Sequence, residues 1–353
     1  IPVIALPGAV LSPSKSVILT LLSDPHYLLG TNVSAEVRVL REVPLSVRDF
    51  GAVGDGVADD TAAIQAAIRA LEADSNYNTL HFPAGIYRCN TTTFGQDATS
   101  NWRQLLKLGE TDLAGRDLFV TGDPGATLLS TVSNVRARML MVDASFRSLT
   151  FRGLTWRKDP TPLPETTGEP NYAEGVWLRN VDLRRVEAVA FLDCTFDNCH
   201  GAVAVYGNGF DLRGKLANFG FRRCRVLNPY GSNTTNAHKA YGGGQQVRVN
   251  PWVASAVYEA NYFEGGSENP DPVYNPSGVP KDGSHFGSPL RLLFTNNVVR
   301  GMGVEAVFQT DDPYLGTTAS PFTIPPPDGT TSASVKVVPL PTTYQAGQIL
   351  NVR

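Results

Sequence analysis

Charge is scarce in this chain of 353 residues: Asp, Glu, Lys and Arg together make up 18%, against ~25% in an average soluble domain. Lys+Arg 30 against Asp+Glu 33 leaves a net charge of -3, so there is no basic field to neutralise a nucleic-acid backbone. Long apolar runs are absent too. Stretches such as Val17–Leu22 and Met139–Val142 fall far short of the ~20 residues a membrane-spanning helix needs. The four cysteines, Cys89, Cys194, Cys199 and Cys224, form no CxxC pair and have no histidine at zinc spacing. Their plain reading is as buried small side chains, with a disulfide as the alternative. No calcium-loop motif is present either. The chain opens at Ile1 with no start Met, which suggests a mature form or a fragment. It closes on Gln348–Arg353 within a strand-like pattern, so truncation at that end is expected.

What is present is turn-forming residues, with Gly 33 and Pro 25. That abundance suits a β-rich globular chain and excludes coiled coil, collagen and wholesale disorder. Ser16–Leu21 and Ala35–Leu40 have apolar, β-branched strand character, with turn residues at Asp24-Pro25 and Gly30-Thr31-Asn32 between them. Tyr27, Gly30, Ala35, Val37 and Val39 resemble the closing strands of a Calx-beta module. The resemblance implies that residues 1–42 are a partial β-sandwich or spacer and that residues 43–353 form a separate body.

That body begins with a dense motif, Ser46-Val47-Arg48-Asp49-Phe50-Gly51-Ala52-Val53-Gly54-Asp55-Gly56-Val57-Ala58-Asp59-Asp60-Thr61. It reads as a short strand, a glycine-punctuated turn and a helix. Asp59 and Asp60 are placed to cap that helix, and Ile64, Ile68 and Leu71 form one apolar stripe. Asn78–Tyr87 then reads as strand, turn, strand. The whole block resembles the opening of the pectate-lyase-like superfamily. That resemblance implies an all-β chain folded as a right-handed parallel β-helix, a solenoid, with a capping helix at its N-terminal end. It also makes Asp55, Asp59 and Asp60 capping and turn residues rather than catalytic carboxylates.

A repeat supports the solenoid. Leu149–Trp156, Phe191–Asn198, Phe221–Asn228, Tyr258–Glu264 and Leu293–Val299 share one shape, two short strands around a Gly- or Asn-containing bend. Cys194 and Cys224 fall on one position of neighbouring units, as do Asn261 and Asn297, so all four are predicted to form internal ladders. Asp159–Ala173 and Gly265–Gly287 interrupt the repeat and are expected as loops on one face, walling a groove. Pro321–Pro327 reads as a linker or outer loop.

Chemistry is then sought among polar residues on outward positions. For glycoside hydrolysis, paired carboxylates act as general acid and base, and Asp282, Glu305, Asp311 and Asp312 are the candidates, with His285 as a proton-transfer partner. Lys281-Asp282-Gly283 is faintly similar to the polygalacturonase family's pattern, but Met302-Gly303 stands where that family needs paired aspartates, so the resemblance carries over Asp282 alone. For a lyase, the base would come from Arg248, His285, Lys281, His238 or Lys239. Arg248, Gln246, Gln309, Tyr258, Tyr262 and Trp252 are the predicted substrate-binding residues, the aromatics as sugar platforms. The functional expectation is an extracellular or cell-surface enzyme acting on a polysaccharide or oligosaccharide, with hydrolysis ahead of a uronate lyase. The competing expectation is a non-catalytic glycan-binding protein of the phage tailspike kind, with which a homotrimer is compatible. No cofactor is expected, though a lyase would admit Ca²⁺. Neither nucleic acid nor a membrane is an expected partner.

Overall fold

The computed structural model describes residues 14–20, 34–92, 94, 102–132, 136–159, 172–179, 186–199, 201–207, 215–227, 247–249, 252–264, 289–300, 323–324 and 333–334. The chain divides into two compact units, Ile1–Pro44 and Leu45–Arg353. In the first, β1 (Ser14–Thr20) pairs antiparallel with β2 (Ser34–Leu40), on the two runs expected to be strands.

In the second unit the chain winds through three parallel sheets. It enters by β3 (Pro44–Ser46), a 3-10 turn at Val47–Phe50, β4 (Asp55–Asp59) and helix α1 (Thr61–Ala73). The next turn is β5 (Thr79–Phe82), β6 (Ile86–Cys89) and β7 (Trp102–Leu108), followed by β8 (Asp117–Gly122), β9 (Thr127–Ser130) and β10 (Arg136–Val142). Three further turns run β11 (Ser148–Arg152), β12 (Thr155–Lys158), β13 (Tyr172–Arg179); β14 (Ala188–Leu192), β15 (Thr195–Asp197), β16 (Gly201–Gly207); and β17 (Lys215–Arg222), β18 (Arg225–Leu227), β19 (Val247–Val249). The described part of the solenoid ends with β20 (Trp252–Glu259), β21 (Tyr262–Glu264), β22 (Pro289–Thr295) and β23 (Val298–Arg300). The first sheet stacks β3, β5, β8, β11, β14, β17, β20 and β22; the second stacks β4, β6, β9, β12, β15, β18, β21 and β23; the third stacks β7, β10, β13, β16 and β19. This is a parallel β-helix. Outside it, β24 (Thr323–Ile324) and β25 (Ala333–Ser334) pair antiparallel within the proline-rich tail.

Stacking like on like builds the core. Along the first sheet Phe151, Phe191, Phe221 and Tyr258 occupy one register position, and the Phe151 and Phe191 rings stack with centroids 4.7 Å apart. Along the second, Tyr87, Leu128, Trp156, Phe196, Val226 and Phe263 do the same, all buried. Such pairs add roughly 0.5–1.5 kcal/mol each beyond area burial.

First and second sheets are joined by a two-residue bend repeated on five rungs. Its first residue has positive φ: Gly153 (73°), Asp193 (56°), Arg223 (51°), Ala260 (56°) and Asn296 (56°). Its second residue points inward: Leu154, Cys194, Cys224, Asn261 and Asn297, all buried. The expected ladders are therefore present. Asn261 accepts from the Cys224 backbone N–H at 2.8 Å and donates to the Phe221 carbonyl at 2.7 Å and to Asn297 Oδ1 at 2.8 Å. Asn297 donates to the Tyr258 carbonyl at 2.8 Å and accepts from the Asn261 N–H at 3.0 Å. One amide per rung thereby satisfies the backbone groups a sharp bend leaves without ladder partners.

The opening motif folds as its residues dictate. Gly51, at φ 94°, closes the 3-10 turn, and Gly54, at φ 70°, lies so close to the Tyr87 ring that a Cβ there would come within 2.9 Å of it. Asp59 accepts from the Thr61 N–H at 3.1 Å, at the start of α1. Asp60 does not cap α1 through its side chain. Its carboxylate instead accepts from the Val53 and Gly54 N–H groups at 2.6 and 3.1 Å, because the preceding turn presents two converging donors. Asp55 accepts from Ala58 and Val57, both at 2.8 Å, and these bonds hold its carboxyl below the usual range.

Ile64, Ala67, Ile68 and Leu71 form the buried face of α1. Gln65 accepts from the Lys107 N–H and donates to its carbonyl, both at 2.9 Å, along one edge of β7. At the other end of the helix, Arg116 donates to the Leu71, Glu72 and Tyr77 carbonyls at 2.9, 3.2 and 2.6 Å. It satisfies acceptors that a helix C-terminus leaves open.

Candidate functional site

The outer face of the third sheet carries charged and aromatic side chains. Gly175 turns inward, where a Cβ would lie 2.9 Å from the Phe196 ring. Its neighbours Glu174 and Trp177 instead meet Arg138 of the preceding rung, which places all three on the opposite face. Two register rows run along that face. One is Gln104, Arg138, Glu174 and Gly201; the other is Lys107, Met141, Trp177, Ala204 and Arg248.

Arg138 is the centre of this cluster. Its guanidinium lies over the Trp177 ring, 3.8 Å from the centroid, and its Nε is 3.4 Å from Glu174 Oε2. Arg138 is only 3% exposed, so the ion pair is desolvated and Trp177 holds the guanidinium plane in place. One rung earlier, Lys107 Nζ sits 3.1 Å from Asp143 Oδ2, both half-buried. A planar guanidinium, an ammonium and an indole thus lie on consecutive rungs of this sheet, each cation beside a carboxylate.

The predicted site residues are only partly within reach of the described structure. Arg248 lies on β19, in register with Ala204 on the outer row of the third sheet. Trp252 opens β20 on the first sheet, in register with Lys215. Tyr262 lies on the second sheet in register with Arg225, whose guanidinium is 5.8 Å from its ring centroid. Arg248, Trp252 and Tyr262 thus belong to three different sheets and do not share a face. Tyr258 is a correction. Expected as a sugar platform, it is 1% exposed and packs against Phe219 and Phe221 at 5.7 and 6.4 Å between centroids. It occupies the core aromatic row, and burial pushes its hydroxyl pKa far up. Gln246, Asp282, His285, Glu305, Gln309, Asp311 and Asp312 lie outside the described residues, as do His238, Lys239 and Lys281.

Arg138, Glu174 and Trp177 were missed by the sequence reading. Each sits in an apolar strand, Arg136–Val142 or Tyr172–Arg179, and Arg138 and Glu174 pair directly in register. Complementary charge at matching repeat positions was the available signal. Among the described residues no group of three or more His, Cys, Asp or Glu is arranged to hold a metal, and no helix is long and apolar enough to cross a membrane.

Residues 45–100 match the family model for rhamnogalacturonase A/epimerase, pectate lyase-like. Over 154 residues the chain is 36% identical to mannuronan C5-epimerase AlgE4 of Azotobacter vinelandii, covering 41% of this chain and 27% of that protein. Over 158 residues it is 32% identical to AlgE5 of the same organism, covering 41% of this chain and 15% of that one. The chain therefore spans well under a third of the epimerases it matches. A 53-residue stretch is 43% identical to plasmin and fibronectin-binding protein A of Streptococcus pneumoniae, covering 15% of this chain and 7% of that protein. Among solved structures, PfbA, a surface adhesin of Streptococcus pneumoniae, aligns at 12% identity with TM-score 0.20, covering 73% of this chain and 80% of that one. That score is too low to bear on fold or function. The chain is a parallel β-helix whose opening block is similar to the pectate-lyase-like family.

Proposed function

We propose that the chain belongs to an enzyme that modifies an acidic polysaccharide, and that the chemistry begins with removal of the proton at C5 of a uronate. The supporting observation is the third sheet, where Arg138, beside Glu174 and over the Trp177 ring, and Lys107, beside Asp143, put two cations and an indole on consecutive rungs. Similarity to mannuronan C5-epimerases over 41% of the chain moves the weight from hydrolysis towards this proton chemistry. The C5 proton lies next to the sugar carboxylate and becomes more acidic as cations neutralise the charge that develops on the carboxylate. Return of a proton to the opposite face gives the C5 epimer, whereas loss of the 4-linked oxygen gives an unsaturated sugar. Lys107, half-buried beside Asp143, acts as the carboxylate-binding group, and Arg138, buried beside Glu174 and over the Trp177 ring, holds the indole in position. The base and acid are drawn from Arg248, His285, Asp282, Glu305, Asp311 and Asp312. A polymer substrate places the enzyme outside the cell, secreted or on its surface.

A binding-only reading has one observation in its favour, the 53-residue likeness to plasmin and fibronectin-binding protein A. Incubation with mannuronan, polyguluronate and pectin separates the two. Proton NMR reads inversion at C5, absorbance reads unsaturated uronates, and a reducing-end assay reads hydrolysis. Inversion or unsaturation on a uronate polymer is the expected result, reduced at least tenfold by Arg138→Lys, which keeps the charge but loses the planar fork. New reducing ends without unsaturation would return the hydrolase, and silence with retained polymer binding would favour the adhesin.

A further inference from the structure

Cys194 and Cys224 occupy the same position of the repeated bend on neighbouring rungs. They are bracketed by the register pairs Leu192↔Arg222 and Thr195↔Arg225, and the Arg225 N–H donates to the Cys194 carbonyl at 2.9 Å. Parallel rungs stack about 4.8 Å apart, inside the roughly 4.4–6.8 Å Cα separation that a disulfide spans without backbone movement. Both side chains turn into the same interior and are fully buried. Each thiol points at main-chain carbonyls on these rungs, Cys194 at Leu192 at 3.4 Å and Cys224 at Phe191 and Arg222 at 3.4 and 3.3 Å. On the next rungs the same row is filled by asparagines that cross-link it with amide hydrogen bonds. The two cysteines stand where that polar staple stops.

We propose that Cys194 and Cys224 are a modification site, joined by an inter-rung disulfide when the chain folds in contact with a small-molecule disulfide. One cysteine thiolate attacks the small disulfide, forming a mixed disulfide and releasing one small thiolate. The second cysteine thiolate then attacks the protein sulfur of that mixed disulfide, closing the Cys194–Cys224 bond and releasing the second small thiolate. The two protons lost by the protein thiols end on the two released thiolates, and the small disulfide is the species reduced. Exchange belongs to folding, before this bend closes. Once buried, Cys224 is held as the unreactive thiol, and the bond is shielded from reductants. Cys89 and Cys199, also buried, sit at other places in the fold and remain thiols.

The test is to refold the intact chain with a reduced and oxidised glutathione mixture, then unfold it in an alkylating reagent without reductant. The expected product carries label on Cys89 and Cys199 only, yields one cross-linked peptide pair containing Cys194 and Cys224, and melts several degrees above the same protein refolded in reductant. Cys194→Ala should fold and should lose that gap in melting temperature. Labelling of all four cysteines in the folded product, or a cross-link joining any other pair, would overturn the proposal.

Discussion

The bend between the first and second sheets and the outer face of the third sheet solve opposite problems. At the bend, each rung repeats one device, a left-handed residue followed by a buried one, and the buried side chains Asn261 and Asn297 of successive rungs bond to each other. On the third sheet, the row Lys107, Met141, Trp177, Ala204, Arg248 changes chemical character at every step. Uniform rows arise where stacking itself is the stabilising interaction. A row that varies from rung to rung is not built on like-on-like stacking, which leaves it free for the role proposed above.

The comparison can be broken most severely at the bend. Asn261→Ala removes the side-chain partners of the buried Cys224 N–H and Phe221 carbonyl and leaves Asn297 Oδ1 only the Asn261 backbone N–H. At roughly 1–3 kcal/mol for each buried group left unsatisfied, the loss should be about 3 kcal/mol or more, read as a fall in the urea midpoint. Gly175→Ala tests the inward half of the third sheet. Its Cβ would come 2.5 Å from the Ala202 carbonyl oxygen, and overpacking of this kind costs about 2 kcal/mol, visible in thermal melting. Lys158, buried and donating to the Asp159 carbonyl at 3.1 Å, has its pKa lowered by burial. The folded chain therefore binds that proton more weakly than the unfolded chain, and stability rises with pH from the depressed folded value towards the ordinary value of 10.5. Lys158→Met should stabilise the protein at neutral pH by about 1 kcal/mol and flatten that rise, as denaturation across a pH series would show. The smallest effect belongs to the solvent side of the bend. Arg223 and Asp193 form a two-bond ion pair at 2.7 and 2.9 Å, but both are substantially exposed. Arg223→Ala should cost no more than about 0.5 kcal/mol, and less in high salt.

The same contrast explains what could be read from the residues. The opening glycine-aspartate block, the αL bends and the Cys and Asn rows each repeat a local demand of the backbone, so their pattern is visible in one dimension. Tyr258 was misread because an aromatic near other aromatics suits a sugar platform and a core equally well. Only the register that places it beside Phe221 decides between them. Asp60 does stand at the N-cap of α1, but its carboxylate serves the Val53 and Gly54 N–H groups of the preceding turn, a demand that the helix pattern alone does not reveal. Arg138 and Glu174 were missed because their meaning lies in a pairing across one solenoid turn, and the irregular segments between sheets hide that period.

The most direct measurement is proton NMR of mannuronan incubated with the intact chain in D₂O. The proposed chemistry predicts deuterium at C5 of the uronate, with inversion or with unsaturation, and a rate that falls with Arg138→Lys. Folded protein that binds the polymer and leaves every C5 proton in place would contradict it.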